Sequence, residues 1–206
     1  MIDVSFFQQL KSKTSNCHNH LEKTFPFSTL MQPKRFDENS YYQVLATMAA
    51  FHQCMRLFAP SKLNTKLSSL LSCESTLEAV MQDLNSLQPA STLAPSRPLK
   101  IASTDIHSLL AFAYVWAGSS MGAQILIRWL RKSESSLPMR YYQTMAAQSA
   151  NWLQVKVLIS EQLRLTDIQP DLIIAHAINW FEGIIAYART VSTPKNLKRL
   201  EYAQPL

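Results

Sequence analysis

The chain has 206 residues, a net charge of +6, 47% apolar residues, 17% charged residues and only 3 glycines. This length suits one domain with a sizeable core, and the proportion of apolar residues excludes a disordered chain. All-β folds use glycine in their turns, so the scarcity of glycine predicts an all-α fold. The 3 cysteines show neither the spacing of a disulfide framework nor that of a metal site, which indicates reduced thiols.

Apolar residues recur at helical spacing along most of the chain. The first predicted helices are Ser5–Lys23, with a break expected near Thr14, Asn39–Phe58 and Lys62–Leu71. The sequence Ser75-Thr76-Leu77-Glu78 matches a capping box and predicts the start of a helix that ends near Leu87. The proline-bearing stretches 24–38 and 88–100 are predicted loops.

The longest apolar segment runs from Thr104 to Lys132. Part of it, Leu109–Ile127, is long enough to span a membrane, but interior polar residues favour a buried central helix. Residues 133–143 are polar and are expected to be mobile, whereas Ala147–Leu163 is expected to be helical. A last helix, capped by residues 166–169, is predicted to bury one stripe made of Leu172, Ala175, Phe181, Ile185 and Ala188.

These elements predict one all-α domain over residues 1–192, followed by a basic tail over 193–206. The basic residues are otherwise scattered, and none of the runs is dense enough for a nucleic-acid-binding arm. Such a surface suits acidic partner proteins or an anionic small molecule. No secretory signal opens the chain, so a cytoplasmic location is expected.

Two of the 3 glycines, Gly118 and Gly122, lie four residues apart within the long apolar segment. A glycine in the interior of a helix costs about 0.5–1 kcal/mol relative to alanine. Two glycines on one helical face therefore indicate that something approaches the backbone closely. One interpretation is close packing of two helices, and the other is a flat ligand that lies against the helix.

Common catalytic motifs are missing from the sequence. There is no HExxH, GxSxG, P-loop or GxGxxG pattern, no Cys/His zinc spacing, and no carboxylate pair that stands out for acid–base catalysis. Any chemistry is therefore expected to belong to a bound cofactor.

The segment Thr14-Ser15-Asn16-Cys17-His18-Asn19-His20-Leu21-Glu22 resembles the first helix of the bacterial heme oxygenases. Their pattern is a threonine, three residues, the heme-ligating histidine and then an apolar–acidic pair. Tyr114–Gln124 is similar to the family's distal helix, in which a glycine, three residues and a second glycine lie over the heme. Further similar segments, in the same order along most of the chain, are Asn39–His52, Met81–Leu87, Trp152 and Ala177–Ala186.

The resemblance implies that heme is held between the first helix and a glycine-kinked distal helix. His18 would be the proximal iron ligand, and Lys11 and Tyr114 would contact a propionate. The implied heme-binding residues are His18, Lys11, Tyr114, His52, Arg128 and Arg140, the two arginines being the next candidates for the propionates. The implied catalytic residues on the distal side, where they admit oxygen or support a water network, are Gly118, Ser119, Ser120 and Gly122.

The chain departs from the family's pattern on the distal side. Ala117 replaces an acidic residue common in bacterial members, and Ser119 stands where mammalian relatives have an aspartate. Ser120 stands where some members have an asparagine. Met48 stands where one subgroup has a glutamine that hydrogen-bonds the histidine matching His52.

The activity implied by the resemblance is the oxidative opening of heme, as both substrate and cofactor, to biliverdin with release of CO and ferrous iron. The implied partners are heme, O2 and an electron-donor protein, either a ferredoxin or a flavoprotein reductase, since the chain has no flavin or dinucleotide fingerprint. No nucleic-acid or membrane partner is expected. The role would be iron acquisition or bilin supply. The alternatives are a heme-oxygenase-like protein that stores or senses heme and an all-helical interaction module without a cofactor.

Overall fold

The computed structural model describes residues 2–87, 98–132, 136–165 and 167–191. The predicted tail, the loop residues 88–97 and the capping residue Thr166 lie outside these ranges. Within them the chain is helical and contains no strand, which confirms the all-α prediction. The α-helices are α1 (Val4–Lys23), α2 (Glu38–Gln53), α3 (Lys62–Leu70), α4 (Cys73–Leu87), α5 (Ile106–Lys132), α6 (Arg140–Gln148), α7 (Trp152–Gln162) and α8 (Pro170–Val191).

The core lies where α2, α5 and α8 meet. The ring of Phe112 on α5 lies 4.8 Å from that of Phe51 on α2 and 4.9 Å from that of Trp180 on α8, measured between centroids. The indole of Trp180 donates a hydrogen bond to the carbonyl of Ser108 at 3.1 Å. These aromatic contacts explain why α2 and α5 are apolar on more than one face: each is packed on several sides.

Helix α5 is the one helix among the described residues that is long and apolar enough to cross a membrane. Its most apolar window is 56% buried inside the protein, as the prediction of a buried central helix requires. The helix begins where the side chain of Asp105 accepts a hydrogen bond from the backbone N–H of Ser108 at 2.8 Å.

Helix α1 is continuous through Thr14, so the predicted break is wrong. The Thr14 hydroxyl donates to the carbonyl of Leu10 at 2.8 Å, and this bond satisfies the side chain inside the helix. Helix α1 begins at the cap formed by Asp3, whose carboxylate accepts the N–H of Phe6.

The helix start predicted for α4 is also wrong, and α6 begins where no helix start was predicted. Helix α4 begins at Cys73, after Ser72 in a left-handed conformation with φ of 48°, so the capping-box sequence lies inside the helix. The segment expected to be mobile contains the start of α6, because the carboxylate of Asp83 accepts the N–H groups of Arg140 at 3.2 Å and Tyr141 at 2.8 Å. A cap supplied by a distant helix leaves no local signal in the sequence.

Two other helices end or turn differently from the prediction. Helix α2 stops at Gln53 and continues as a 3-10 turn over Cys54–Leu57. On α8, the predicted buried residues Phe181, Ile185 and Ala188 are buried, but Leu172 and Ala175 are exposed. The buried side of α8 also includes Ile173, Ile174, Ala177, Trp180 and Ile184.

Candidate functional site

One face of α5 is open to solvent despite its apolar character. Gly118 and Gly122 are exposed on it, together with Met121 at 45% and Ile125 at 49% exposure. These positions are three, four and seven residues apart, so they share one side of the helix. We call this set, Gly118, Met121, Gly122 and Ile125, the open surface of α5.

The two glycines do not serve helix packing. A Cβ atom built at either Gly118 or Gly122 meets no described atom within 4 Å. Close packing of two helices would place a neighbour well inside that distance, so packing against another described helix does not explain the two glycines. The space in front of them is open to a ligand.

His18 lies on α1 and is 55% exposed in its side chain. Its ring meets Phe181 edge-on, and its Nδ1 lies 3.6 Å from the Oε1 of Glu22, one turn further along the helix. A carboxylate facing one ring nitrogen favours the tautomer that leaves the other nitrogen, Nε2, free to bind a metal. His18 therefore has the environment of an accessible metal ligand.

His20 has a different environment although it is only two residues away. Its Nε2 lies 3.0 Å from the Nη2 of Arg189, near the end of α8. Residues two apart on a helix point about 200° apart. Only one of the two histidines can therefore face a given ligand, and His20 is already engaged.

Helices α1 and α5 meet at Tyr114, one turn before Gly118. The ring of Tyr114 stacks on Phe7 with centroids 6.4 Å apart. Burial raises the pKa of the Tyr114 hydroxyl, and a hydrogen bond with the side chain of Thr14 works in the opposite direction. Thr14 and Tyr114 each lie one turn before a predicted site residue, His18 and Gly118 respectively. The contact between Thr14 and Tyr114 therefore joins α1 to α5 at the point from which His18 and Gly118 each lie one turn further along their helices.

The structure adds a cation that the sequence analysis did not single out. The ammonium of Lys156 on α7 lies 5.9 Å from the ring centroid of Phe7 and 5.3 Å from that of Trp152. Trp152 in turn contacts Tyr114 at 5.7 Å. A tryptophan four residues before a lysine on one helix is the sequence signal that indicates this cation–π contact. Lys11, the predicted propionate contact, is exposed on α1.

His52 is buried behind α5 rather than exposed on its open surface. Its Nε2 lies 3.0 Å from the hydroxyl of Tyr141, and its ring contacts Trp116 with centroids 4.0 Å apart. Burial lowers the pKa of His52 to about 3. Within the described part of the chain, His52 Nδ1 and Trp116 Nε1 are buried without a hydrogen-bond partner. Such atoms are rare in proteins, and they mark a polar spot in the core behind the glycines.

The two predicted distal serines differ in their surroundings. Ser119 is partly exposed and donates its hydroxyl proton to the carbonyl of Trp116 at 2.7 Å. Ser120 is fully buried and donates to the carbonyl of Ala117 at 2.6 Å. Both hydroxyl protons are thus held by α5 itself, and only Ser119 lies at the edge of the open surface.

The two arginines predicted as further candidates lie apart from Tyr114. Arg128, near the carboxyl end of α5, donates from Nε to the carbonyl of Gln124 at 3.1 Å. Arg140, at the start of α6, donates from Nη1 to Gln82 of α4 at 3.0 Å. The cation whose contacts connect it to the rings around Tyr114 is Lys156.

A groove of about 820 Å³ lies elsewhere, between α3 and α7. It shares no residue with the predicted site. In the part of the chain that the structure describes, no group of three or more His, Cys, Asp or Glu side chains is arranged to hold a metal ion. A porphyrin supplies its own nitrogen ligands to iron, so a site of this kind needs from the protein only one axial side chain such as His18.

The fold and these surroundings define an all-helical protein with an accessible histidine near an apolar, glycine-bearing helix. The sequence matches the family described as heme oxygenase over residues 4–185. This match covers most of the chain, and the protein belongs to the heme oxygenase family. No curated protein and no solved structure gave a match.

Proposed function

We propose that the protein is a heme oxygenase, which binds heme between α1 and the open surface of α5 and opens it to biliverdin, CO and ferrous iron. The observation that carries this proposal is the empty space in front of Gly118 and Gly122. A flat ligand explains two helix-weakening glycines that no described helix packs against, and membership of the heme oxygenase family supports heme as that ligand.

The residues present fit a heme group. His18 is exposed with Nε2 free, and Glu22 is placed to orient the ring through Nδ1. Lys156 and Lys11 would hold the anionic edge, with Lys156 kept in place by Phe7 and Trp152. The residues that would cover the apolar plate on the distal side are Met121 and Ile125.

Heme supplies the iron at which O2 is reduced, and the protein's part is to bind, orient and shield. Gly118 and Gly122 leave room for O2 beside the backbone of α5, where a larger side chain would occupy it. Ser119 keeps its hydroxyl proton on the Trp116 carbonyl, so its oxygen lone pair faces outward as an acceptor for water. The described residues on the open surface of α5 include no carboxylic acid. The lack of a strong acid there favours attack on the porphyrin ring over a peroxidase-type reaction.

The runner-up is a protein of the same fold that stores or senses heme. Ala117 stands where bacterial members commonly have an acidic residue, and this departure in the distal water network favours storage or sensing over turnover. The proposed heme oxygenase would use O2 and a separate electron-donor protein, and its proposed location is the cytoplasm. An interaction module without a cofactor is the third candidate function.

One experiment separates these functions. Hemin titrated into the purified protein should give a sharp Soret band and a one-to-one end point if the protein binds heme. Addition of ferredoxin, its reductase and NADPH in air, with catalase present to remove free peroxide, should convert that band into a biliverdin spectrum. Bound heme that survives this treatment would support storage or sensing, and the absence of any Soret band would support the interaction module.

A further inference from the structure

The groove between α3 and α7 has two unlike walls, of which the α7 wall is apolar. Leu153, Val157 and Leu158 line it. Leu158 is only 3% exposed, whereas Leu153 is 58% exposed. Helix α7 also buries Val155 and Ile159 in the core. The apolar residues of α7 therefore extend beyond the side that packs against the protein, and the additional ones line the groove.

The α3 wall is polar and basic. Its lining residues are Lys62, Thr65, Lys66 and Ser69, and all four are exposed. The last three lie three, four and seven residues after Lys62, so the four share one side of the helix. At a rise of 1.5 Å per residue, this side is about 10 Å long. A molecule that lies along the groove would thus meet hydrocarbon on one flank and hydroxyl and ammonium groups on the other.

The positive charge of the α3 wall is only partly balanced. The Nζ of Lys66 lies 3.9 Å from the Oε2 of Glu161, the one carboxylate that lines the groove, and an exposed pair of this kind is weak. Lys62 forms no ion pair with a carboxylate in the described part of the chain. No lining residue borders a gap in the described ranges, and Thr166, the nearest in sequence outside them, is uncharged.

The position of Lys62 in α3 also favours an anion beside it. Lys62 is the first residue of the helix, and the first turn contains no acidic residue. The dipole of a helix is positive at this end, so a lysine there does not stabilise the helix. A carboxylate placed beside Lys62 would be attracted by the ammonium group and by the dipole together.

We propose that this groove binds a fatty acid, with its carboxylate at Lys62 and its hydrocarbon chain against α7. The volume of about 820 Å³ lies within the range of about 300–1,000 Å³ that is usual for small-molecule sites. The chain covers the apolar surface of Leu153 and Val157, and removing this surface from water drives binding. The carboxylate accepts hydrogen bonds from the Lys62 ammonium and the Thr65 hydroxyl, which set its orientation. The groove is separate from the proposed heme site, so this inference does not rest on the proposed function.

Calorimetric titration with decanoate tests the charge of the site. Lys62→Gln should weaken binding about two- to fivefold, the usual range for one exposed ion pair. Glu161→Gln should strengthen binding about twofold, because it removes a negative charge near the carboxylate and releases Lys66. Lys13→Gln, which changes an exposed lysine on α1 and the net charge by the same amount, should keep the wild-type affinity. Equal effects of the two lysine variants, or weaker binding to Glu161→Gln, would overturn the assignment.

Ligands of different chain length and charge test the apolar wall. Hexanoate should bind more weakly than decanoate, by up to about fourfold for each CH2 removed. Leu153→Gln changes an exposed residue and should reduce this dependence on chain length. Decyltrimethylammonium, which has the same chain with the opposite charge, should bind more weakly than decanoate. Affinity independent of chain length, or equal binding of the two decyl ligands, contradicts a fatty-acid site.

Photocrosslinking locates the bound chain and keeps this test separate from the proposed function. A decanoate that carries a diazirine should label peptides of α3 and α7, and excess decanoate should prevent the labelling. Saturation with hemin should leave the labelling unchanged, since hemin is proposed to bind between α1 and α5. Label on α1 or α5 that hemin displaces would place the probe in the heme site and refute the inference. Labelling of α3 and α7 in a protein that binds no hemin would support the fatty-acid site while ending the heme proposal.

Discussion

The imidazole of His18 meets the ring of Phe181 edge-on, with the two centroids 5.7 Å apart and the planes at 80°. Phe181 is buried in α8, so it offers a fixed wall against which the more exposed imidazole rests. With Glu22 at 3.6 Å from Nδ1, the orientation of the His18 ring is restricted on two sides. An imidazole held in this way is pre-organised for the proposed axial bond to iron, which reduces the entropy lost when that bond forms.

The first prediction concerns this ligand. His18→Ala should abolish the spectrum of histidine-ligated hemin, and His20→Ala should leave it unchanged, because His20 is directed toward Arg189. Electron paramagnetic resonance and visible absorption of the hemin-loaded proteins measure the ligation. A histidine-ligated spectrum that survives in His18→Ala and disappears in His20→Ala would show that the assignment is off by two residues.

The second prediction concerns the stability of the protein without ligand. Gly118→Ala and Gly122→Ala should each raise the free energy of unfolding by about 0.5–1 kcal/mol, because alanine favours the helix and the added Cβ has no neighbour within 4 Å. Urea unfolding of the hemin-free proteins gives the values. Gly183→Ala on α8 is the comparison variant: its Cβ would make only ordinary van der Waals contact, 3.8 Å from the Lys100 carbonyl oxygen, so it should gain a similar amount. Destabilisation at Gly118 or Gly122 would restore the packing interpretation.

A larger side chain at the same place tests access for oxygen. Gly122→Leu should lower the rate of biliverdin formation far more than it lowers hemin affinity, because the leucine would occupy the space beside the backbone where O2 must lie. Hemin titration and ferredoxin-driven turnover are measured on the same preparation. If affinity and rate are lost together, Gly122 is needed for the ligand to enter at all, and its role in oxygen access is wrong.

The edge near Tyr114 provides the next prediction. Lys11→Ala and Lys156→Met should each change the ratio of biliverdin isomers, since each removes a positive charge that resists rotation of the heme in its site. Lys156→Met retains most of the contact with Phe7 and Trp152, so a change there reports the charge rather than the packing. Chromatography of the products measures the ratio. An unaltered ratio in Lys11→Ala/Tyr114→Phe and in Lys156→Met would shift attention to Arg128 and Arg140.

The sequence supports the all-α fold because helical periodicity is a local property, and α3 matches its predicted range to within one residue. The start of α6 escapes such reasoning, since its cap is the carboxylate of Asp83 on another helix. The two interpretations of Gly118 and Gly122 also need coordinates, because no pattern states what lies in front of a residue. Lys156 becomes part of the candidate site only through its contacts with rings from α1 and α7.

The buried histidine behind α5 makes stability depend on pH. His52 is 1% exposed, and burial lowers its pKa to about 3 from the ordinary value of about 6.5. Between pH 3 and pH 6.5, His52 binds a proton in the unfolded chain but stays neutral in the folded protein. The free energy of unfolding therefore falls with decreasing pH in that window, by up to about 1.4 kcal/mol per pH unit from this residue. Above pH 6.5 both states are neutral, and His52 contributes no pH dependence.

The last prediction isolates this contribution with His52→Gln, which keeps a polar side chain beside Tyr141 but does not titrate. Between pH 7.5 and pH 5.0 the variant should lose less stability than the wild type, by about 2 kcal/mol in urea unfolding. The substitution leaves every carboxylate unchanged, so the difference between the two pH slopes isolates the contribution of residue 52. Parallel pH slopes for His52→Gln and the wild type would mean that the folded protein accommodates a charged His52, in conflict with its place in the core.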